Sequence, residues 1–142
     1  MKISIASDHG GLELKNGIAD FLASLGHEVV DFGTNSTNSC DYPDFVRPAA
    51  LAVASGECAR GIVVCTTGIG ASIVANKVNG VRCALCTSTD MASLTRHHND
   101  ANVLALGQKY VDLATAREIV TTFLETPFDG GRHQTRVDKI EK

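Results

Sequence analysis

The sequence has no run of lysine and arginine, no apolar stretch able to span a bilayer, no low-complexity segment and no internal repeat. Each absence removes a class of function. Without a basic run, and with a formal net charge of -3, neither a nucleic-acid nor a membrane-surface partner is expected. The apolar run in the opening MKISIASDHGG is too short for a signal peptide, so the expected location is the cytoplasm. Five cysteines are an odd number, which fits reduced thiols in that compartment. The 142 residues, 44% hydrophobic and 20% charged, are enough for one domain with a sizeable core, spanning 1–142.

What is present is a strict alternation of strand and helix signals. Lys2–Ser7, Glu28–Phe32, Gly61–Cys65, Arg82–Cys86 and Val103–Leu106 are short apolar runs, as expected of strands buried on both faces of a parallel sheet. Between the first two, Leu14, Ile18, Phe21, Leu22 and Leu25 recur at helical spacing and stop at Gly26, a C-cap residue. Further helices are expected from Asp41-Tyr42-Pro43 toward Ser55, and over Ala71–Val78, Ser88–His97 and Leu113–Glu125. Pro48 then lies in a first turn or at a kink. Pro127–Gly131 reads as a turn into a last basic helix, Arg132–Lys142. The pattern predicts an α/β three-layer sandwich around a five-stranded parallel sheet with right-handed crossovers.

Ligands of such folds bind outside the carboxyl ends of the strands. Asp8-His9-Gly10-Gly11 follows the first strand, and Cys65-Thr66-Thr67-Gly68-Ile69-Gly70 follows the third. The helix after the fourth strand ends at Arg96-His97-His98-Asn99-Asp100, and convergence of all three segments on one edge is expected. The cysteine loop lacks the lysine of a phosphate P-loop, the arginine of a cysteine phosphatase and the aspartate of a receiver domain. It suits a smaller anion, held by backbone N–H groups at a helix N-terminus. The same helix end favours a thiolate, able to act as base or nucleophile. The alternative for Cys65 alone is a buried structural cysteine.

Cys83 and Cys86 lie three apart on a strand and so face opposite ways, as core residues rather than a metal or disulfide pair. Cys40 and Cys58 read as loop or helix-end residues without partners, and His27 as solvated. A helix C-terminus favours imidazolium, so His97 or His98 suits a general acid. Asp8, His9, His97, His98 and Asp100 show no metal-ligand spacing, and no metal is expected. Arg132 and Arg136 share one helix face beside His133, an arrangement that suits one phosphate monoester. Taken alone they also read as a solvated face balancing Asp138 and Glu141.

At this point the chain resembles the ribose-5-phosphate isomerase B family, which includes galactose-6-phosphate and allose-6-phosphate isomerases. SDHGG (7–11), DYP (41–43), CTTGIGASIVANK (65–77), GVRCALC (80–86), HNDANVLALG (98–107) and GGRHQTRV (130–137) carry the resemblance. It implies strand order 2-1-3-5-4, no metal or organic cofactor, and a homodimer or tetramer with sites shared between two subunits. Cys65 matches the base that moves a proton between C1 and C2 of the sugar. Thr67 and the Gly68–Ser72 backbone, with Gly70, match the anion hole. His98, assisted by Asp8, matches the ring opener, and Asn99 and Tyr42 match residues lining the site. His9, Arg132 and Arg136 match phosphate ligands, and Lys109 lies where some relatives place an arginine. Thr66 departs from the family's usual glycine, which bears on substrate choice.

The implied reaction interconverts ribose 5-phosphate and ribulose 5-phosphate through an enediolate. The alternatives are a six-carbon sugar phosphate as substrate, or a non-catalytic sugar-phosphate-binding subunit. The residues fit aldose-ketose chemistry on their own terms, since it needs a ring opener, a base, donors for an oxyanion and a handle remote from the reacting carbons.

Overall fold

A computed structural model describes residues 1–142. Five strands, β1 (Lys2–Ser7), β2 (Glu28–Asp31), β3 (Arg60–Cys65), β4 (Cys83–Leu85) and β5 (Val103–Gly107), form one sheet in the order β2-β1-β3-β5-β4. Every pairing is parallel, with Ala6 opposite Val63 and Val63 opposite Ala105. The helices are α1 (Leu12–Ser24), α2 (Tyr42–Ala54), α3 (Ile69–Asn76), α4 (Thr89–Asn99), α5 (Leu113–Glu125) and α6 (Arg132–Val137). None is long and apolar enough to cross a membrane.

The period of two along the strands sorts their side chains into two cores. Ile5, Ile62, Val64, Leu104 and Leu106 pack with Ile18 and Leu22 of α1 and Ile119 and Phe123 of α5. Ala6, Val63, Cys65 and Ala105 face the other way, against Val46 and Val53 of α2 and Val74 of α3. Cys83 and Cys86 fall on opposite sides of the sheet, as their spacing predicts. Burial pushes the Cys83 thiol up strongly and the Cys86 thiol up to about 11.

Local signals set the element ends. Gly26 adopts φ 85°, donating to Ala23 O while His27 N–H donates to Leu22 O, which closes α1 in a Schellman turn. His27 is half-buried rather than solvated, its Nδ1 lying 3.1 Å from the terminal amine. Pro48 sits inside α2, beyond its first turn, and forfeits one intrahelical bond to the Asp44 carbonyl. The last helix stops at Val137 instead of reaching Lys142. It buries no residue, so packing does not sustain a longer one.

Lys15 is wholly buried, and its ammonium reaches both oxygens of Asp31 at 2.8 and 2.7 Å and Asn35 Oδ1 at 3.2 Å. Asp31 Oδ1 also accepts the Gly33 N–H. The next pair of bonds, Ser7 N–H to Gly33 O and Thr34 N–H to Ser7 O, ties this loop to the end of β1. A buried cation thereby anchors the segment from which Asp8 and His9 project.

Asp31→Ala leaves that cation unpaired and is expected to lower unfolding stability by about 3 kcal/mol, while adding Lys15→Met restores most of the loss. Urea midpoints of both variants test this. Equal losses in the single and double variants would contradict the anchoring role.

Candidate active site

From β1 the chain crosses to β2 on one side, and from β3 it leaves for β4 at the far edge of the other. The carboxyl ends of β1 and β3 therefore flank a topological switch point, where doubly wound sheets open a crevice. A cavity of 480 Å³ lies there, lined by Asp8, Tyr42, Cys65, Thr66, Thr67 and Gly70 and by Ile69 and Ile73. The two isoleucines are exposed on a helix that buries Ala71, Val74 and Ala75, and sequence reasoning missed them. Their signal is spacing: four apart on α3, they occupy a face that the sheet does not cover.

Cys65 ends β3 and turns into the α2/α3 side of the sheet. Gly68 N–H donates to its sulfur at 3.1 Å, a bond that strengthens when sulfur carries charge. Gly68 takes φ 76°, and a Cβ there would meet Leu85 at 2.5 Å and the Leu106 carbonyl carbon at 2.8 Å. Only glycine allows this approach. The Thr67 hydroxyl accepts the Ile69 N–H at 3.2 Å. The next two amides, Gly70 and Ala71, have no partner within the chain. They form an anion-receptive pair at the start of α3.

Three neighbours fix the loop. Gln108 and Lys109 N–H groups donate to the Cys65 and Thr66 carbonyls at 3.0 and 2.9 Å. The Tyr42 ring packs on Gly70, where a Cβ would lie 2.7 Å from it. Asp8, largely buried, accepts the Gly11 N–H at 3.1 Å. His9 is exposed beside it, and its Nδ1 accepts the Cys40 N–H at 3.2 Å, which leaves Nε2 as the outward donor. Cys40 thus has a partner that sequence alone did not reveal, with its sulfur 3.8 Å from the same nitrogen. The Ser72 hydroxyl is spent on the Ile69 carbonyl, and the Lys109 ammonium lies over Tyr110.

The expected convergence of His97 and His98 on this edge does not occur within one chain. A crossover helix runs against the strands of a parallel sheet, so α4 returns the chain to their amino ends. Arg82 Nε bonds the Asn99 and Asp100 carbonyls, and Asn102 pairs with Arg82 and Gly61 at the starts of β4 and β3. The Asp100 carboxylate is held by Arg96 at 2.8 Å and Arg82 at 3.4 Å. A metal set drawn from Asp8, His9, His97, His98 and Asp100 is therefore split between opposite edges.

At that amino edge His98 is exposed and stacks on His133, with ring centroids 4.4 Å apart. Desolvation, then His98, Arg132 and Arg136, push the His133 imidazole below its ordinary value. Arg132 and Arg136 are exposed and free of ion pairs. Asn99 lines a separate cavity of 510 Å³ with Arg82, Cys83 and Ile140. It holds no sulfur poised against free amides, so the chemistry points to the Cys65 cleft.

Thr66 adopts no positive φ, so its β-branch is unstrained, and its hydroxyl fills the space where a Gly10 Cβ would stand. Gly10→Ala is expected to cost about 1–3 kcal/mol by overpacking, and Thr66→Gly to rescue it. Thermal unfolding of the single and double variants checks this. Additive losses would mean that the two residues do not share that space.

Comparison with known proteins agrees with this geometry. Residues 3–140 match the Ribose/Galactose Isomerase family. The structure of a ribose-5-phosphate isomerase B from Clostridium thermocellum is 60% identical with a TM-score of 0.98, covering 99% of this chain and 95% of that one. Ribose-5-phosphate isomerase B of Escherichia coli is 47% identical over 98% of this chain and 93% of its own length. D-erythrulose-4-phosphate isomerase of Pectobacterium atrosepticum is 40% identical over 99% and 93%. The chain therefore belongs to the Ribose/Galactose Isomerase family, as a sugar-phosphate isomerase of the ribose-5-phosphate isomerase B type.

Proposed function

We propose that residues 1–142 act as one cytoplasmic isomerase domain that interconverts ribose 5-phosphate and ribulose 5-phosphate, with Cys65 as the base. The observation that carries this reading is the Cys65 sulfur, bonded by Gly68 N–H in a cleft with two unpartnered amides. A thiolate there takes the proton from C2 of the open aldose and returns it to C1. The enediolate oxygen gathers charge between these steps, and the Gly70 and Ala71 N–H groups with the Thr67 hydroxyl are placed to stabilise it.

The sugar must first be opened, and the proposed acid, His98, lies at the other edge of the same sheet. A second copy resolves this: its His98, Asn99, Arg132 and Arg136 close over the Cys65 cleft, so two chains share each site. His98 gives a proton to the ring oxygen as its bond to C1 breaks, and Asp8 assists by accepting the proton of the C1 hydroxyl. His9 Nε2, the two arginines and Lys109 hold the phosphate, whose binding orients the reacting carbons. Exposed Tyr42, Ile69 and Ile73 around the cleft suit burial by such a partner.

Thr66 in place of glycine fills the loop beside the sugar, which favours a five-carbon chain over a six-carbon one. The relative named for D-erythrulose 4-phosphate supports a second reading, a shorter substrate in the same site.

The test is a coupled assay of erythrulose 4-phosphate and of ribose, allose and galactose phosphates. Ribose 5-phosphate should give the highest kcat/KM, and Cys65→Ala should lower its turnover by roughly 10²–10⁴ while substrate still binds. Near-normal turnover in Cys65→Ala, or a higher kcat/KM for another sugar, would overturn the respective claim. Alkylation at neutral pH supplies a further check. Cys83 and Cys86 stay protonated, Cys86 until pH approaches about 11, so substrate should protect Cys65 and leave the modification of those two strand cysteines unchanged.

A further inference from the structure

We propose that His98, Asp129 and His133 form a site for a divalent transition-metal ion, above all zinc, and that an ion held there inhibits the isomerase. The inhibitory half rests on the reading of His98 as ring opener. The three side chains offer ligand atoms that all lie within 4.8 Å of one another. Two imidazole nitrogens and one carboxylate oxygen are a donor set that zinc accepts, with a fourth position left for water.

The cluster is built rather than assembled by chance side-chain excursions. Asp129 N–H donates to the His97 carbonyl at 3.1 Å, and His97 Nδ1 pairs with Asp129 Oδ1 at 2.6 Å. Asp129 Oδ2 has no protein partner, so one oxygen is oriented and the other is free. A carboxylate steadied by an outer hydrogen bond is the usual support of a metal ligand. Gly130 and Gly131, at φ 66° and 56°, turn the chain so that α6 starts beside the end of α4. This turn brings the His133 ring over His98.

Capture needs a modest adjustment. Tetrahedral zinc, about 2.0–2.1 Å from nitrogen, draws its donors to roughly 3.4 Å from one another. The two rings are within 11° of parallel, and each ligating ring must contain the metal in its plane, so one must turn about χ2. On the single chain His98 is exposed and its ring has room to do so. Arg132 and Arg136 oppose a cation from the same helix as His133, but on the single chain both are exposed and screened by solvent. An imidazole nitrogen bound to metal no longer carries a proton for the sugar ring oxygen, so metal and catalysis compete for His98.

Calorimetric titration of the intact protein with zinc, and absorption titration with Co²⁺, test the site directly. One ion per chain is expected, with visible Co²⁺ bands and no thiolate-to-metal charge-transfer band. His133→Ala and Asp129→Asn should each weaken binding roughly tenfold or more. Isomerase activity should fall as zinc occupies the site and return with EDTA, and both variants should need proportionately more zinc. Absence of stoichiometric binding, unchanged affinity in both variants, or a thiolate band lost in Cys65→Ala would overturn the site. Binding that follows these variants but leaves activity intact would keep the site and overturn both the inhibition and the ring-opening role of His98.

Discussion

In a parallel sheet every connecting helix has to run against the strands it joins, and this constraint divides the chemistry of the chain. Loops that follow strands collect at one edge, and helix C-termini collect at the other. Cys65, Thr67, Asp8 and the free amides of Gly70 and Ala71 belong to the first group. His98, Asn99 and the stacked His133 belong to the second. No side-chain rotation closes such a separation, because the sheet itself stands between the two edges. A single chain thus keeps the proposed base and the proposed ring opener apart, and the proposed two-fold pairing of copies is what would join them.

Each of the two edges is held by interactions that lie away from its proposed site residues. The cysteine loop keeps its shape because glycine at position 68 lets Leu85 and Leu106 approach and because residues 108 and 109 bond its carbonyls. The β1 loop depends on the buried Lys15 ammonium, through Asp31 and Gly33. On the other edge, Asp100 at φ 46° is gripped by Arg82 and Arg96, which orients the residues just before it. Rigidity of this kind suits a reaction governed by placement of a proton donor and acceptor.

Much of this was legible in the residues. The alternation of apolar runs and helical spacings fixed the class of fold, and the cleft residues of 65–70 stood out because their glycines and thiol follow a buried strand. β4 came out shorter than Arg82–Cys86 because an edge strand pairs on one side only, with β5. The direction of α4 was also implicit in the topology, yet a motif near a helix end carries no label for which edge that end reaches. Lys15 was illegible for a different reason. A lysine beside Leu14 looks like a solvated position until Asp31 and Asn35 are brought around it. The Cys40 to His9 bond, spanning 31 residues, likewise exists only once the loops meet.

The proposed sharing of the site between two chains is tested most directly by complementation. Cys65→Ala and His98→Ala chains, carrying different affinity tags, are co-expressed and the mixed dimer is isolated through both tags. Each homodimer lacks one half of every site, whereas the mixed dimer has one site with both halves intact. The account predicts two nearly inactive homodimers and a mixed dimer with about half of wild-type turnover, as two-fold symmetry requires. A mixed dimer as inactive as its parents would contradict it and would place Cys65 and His98 in the service of the same chain.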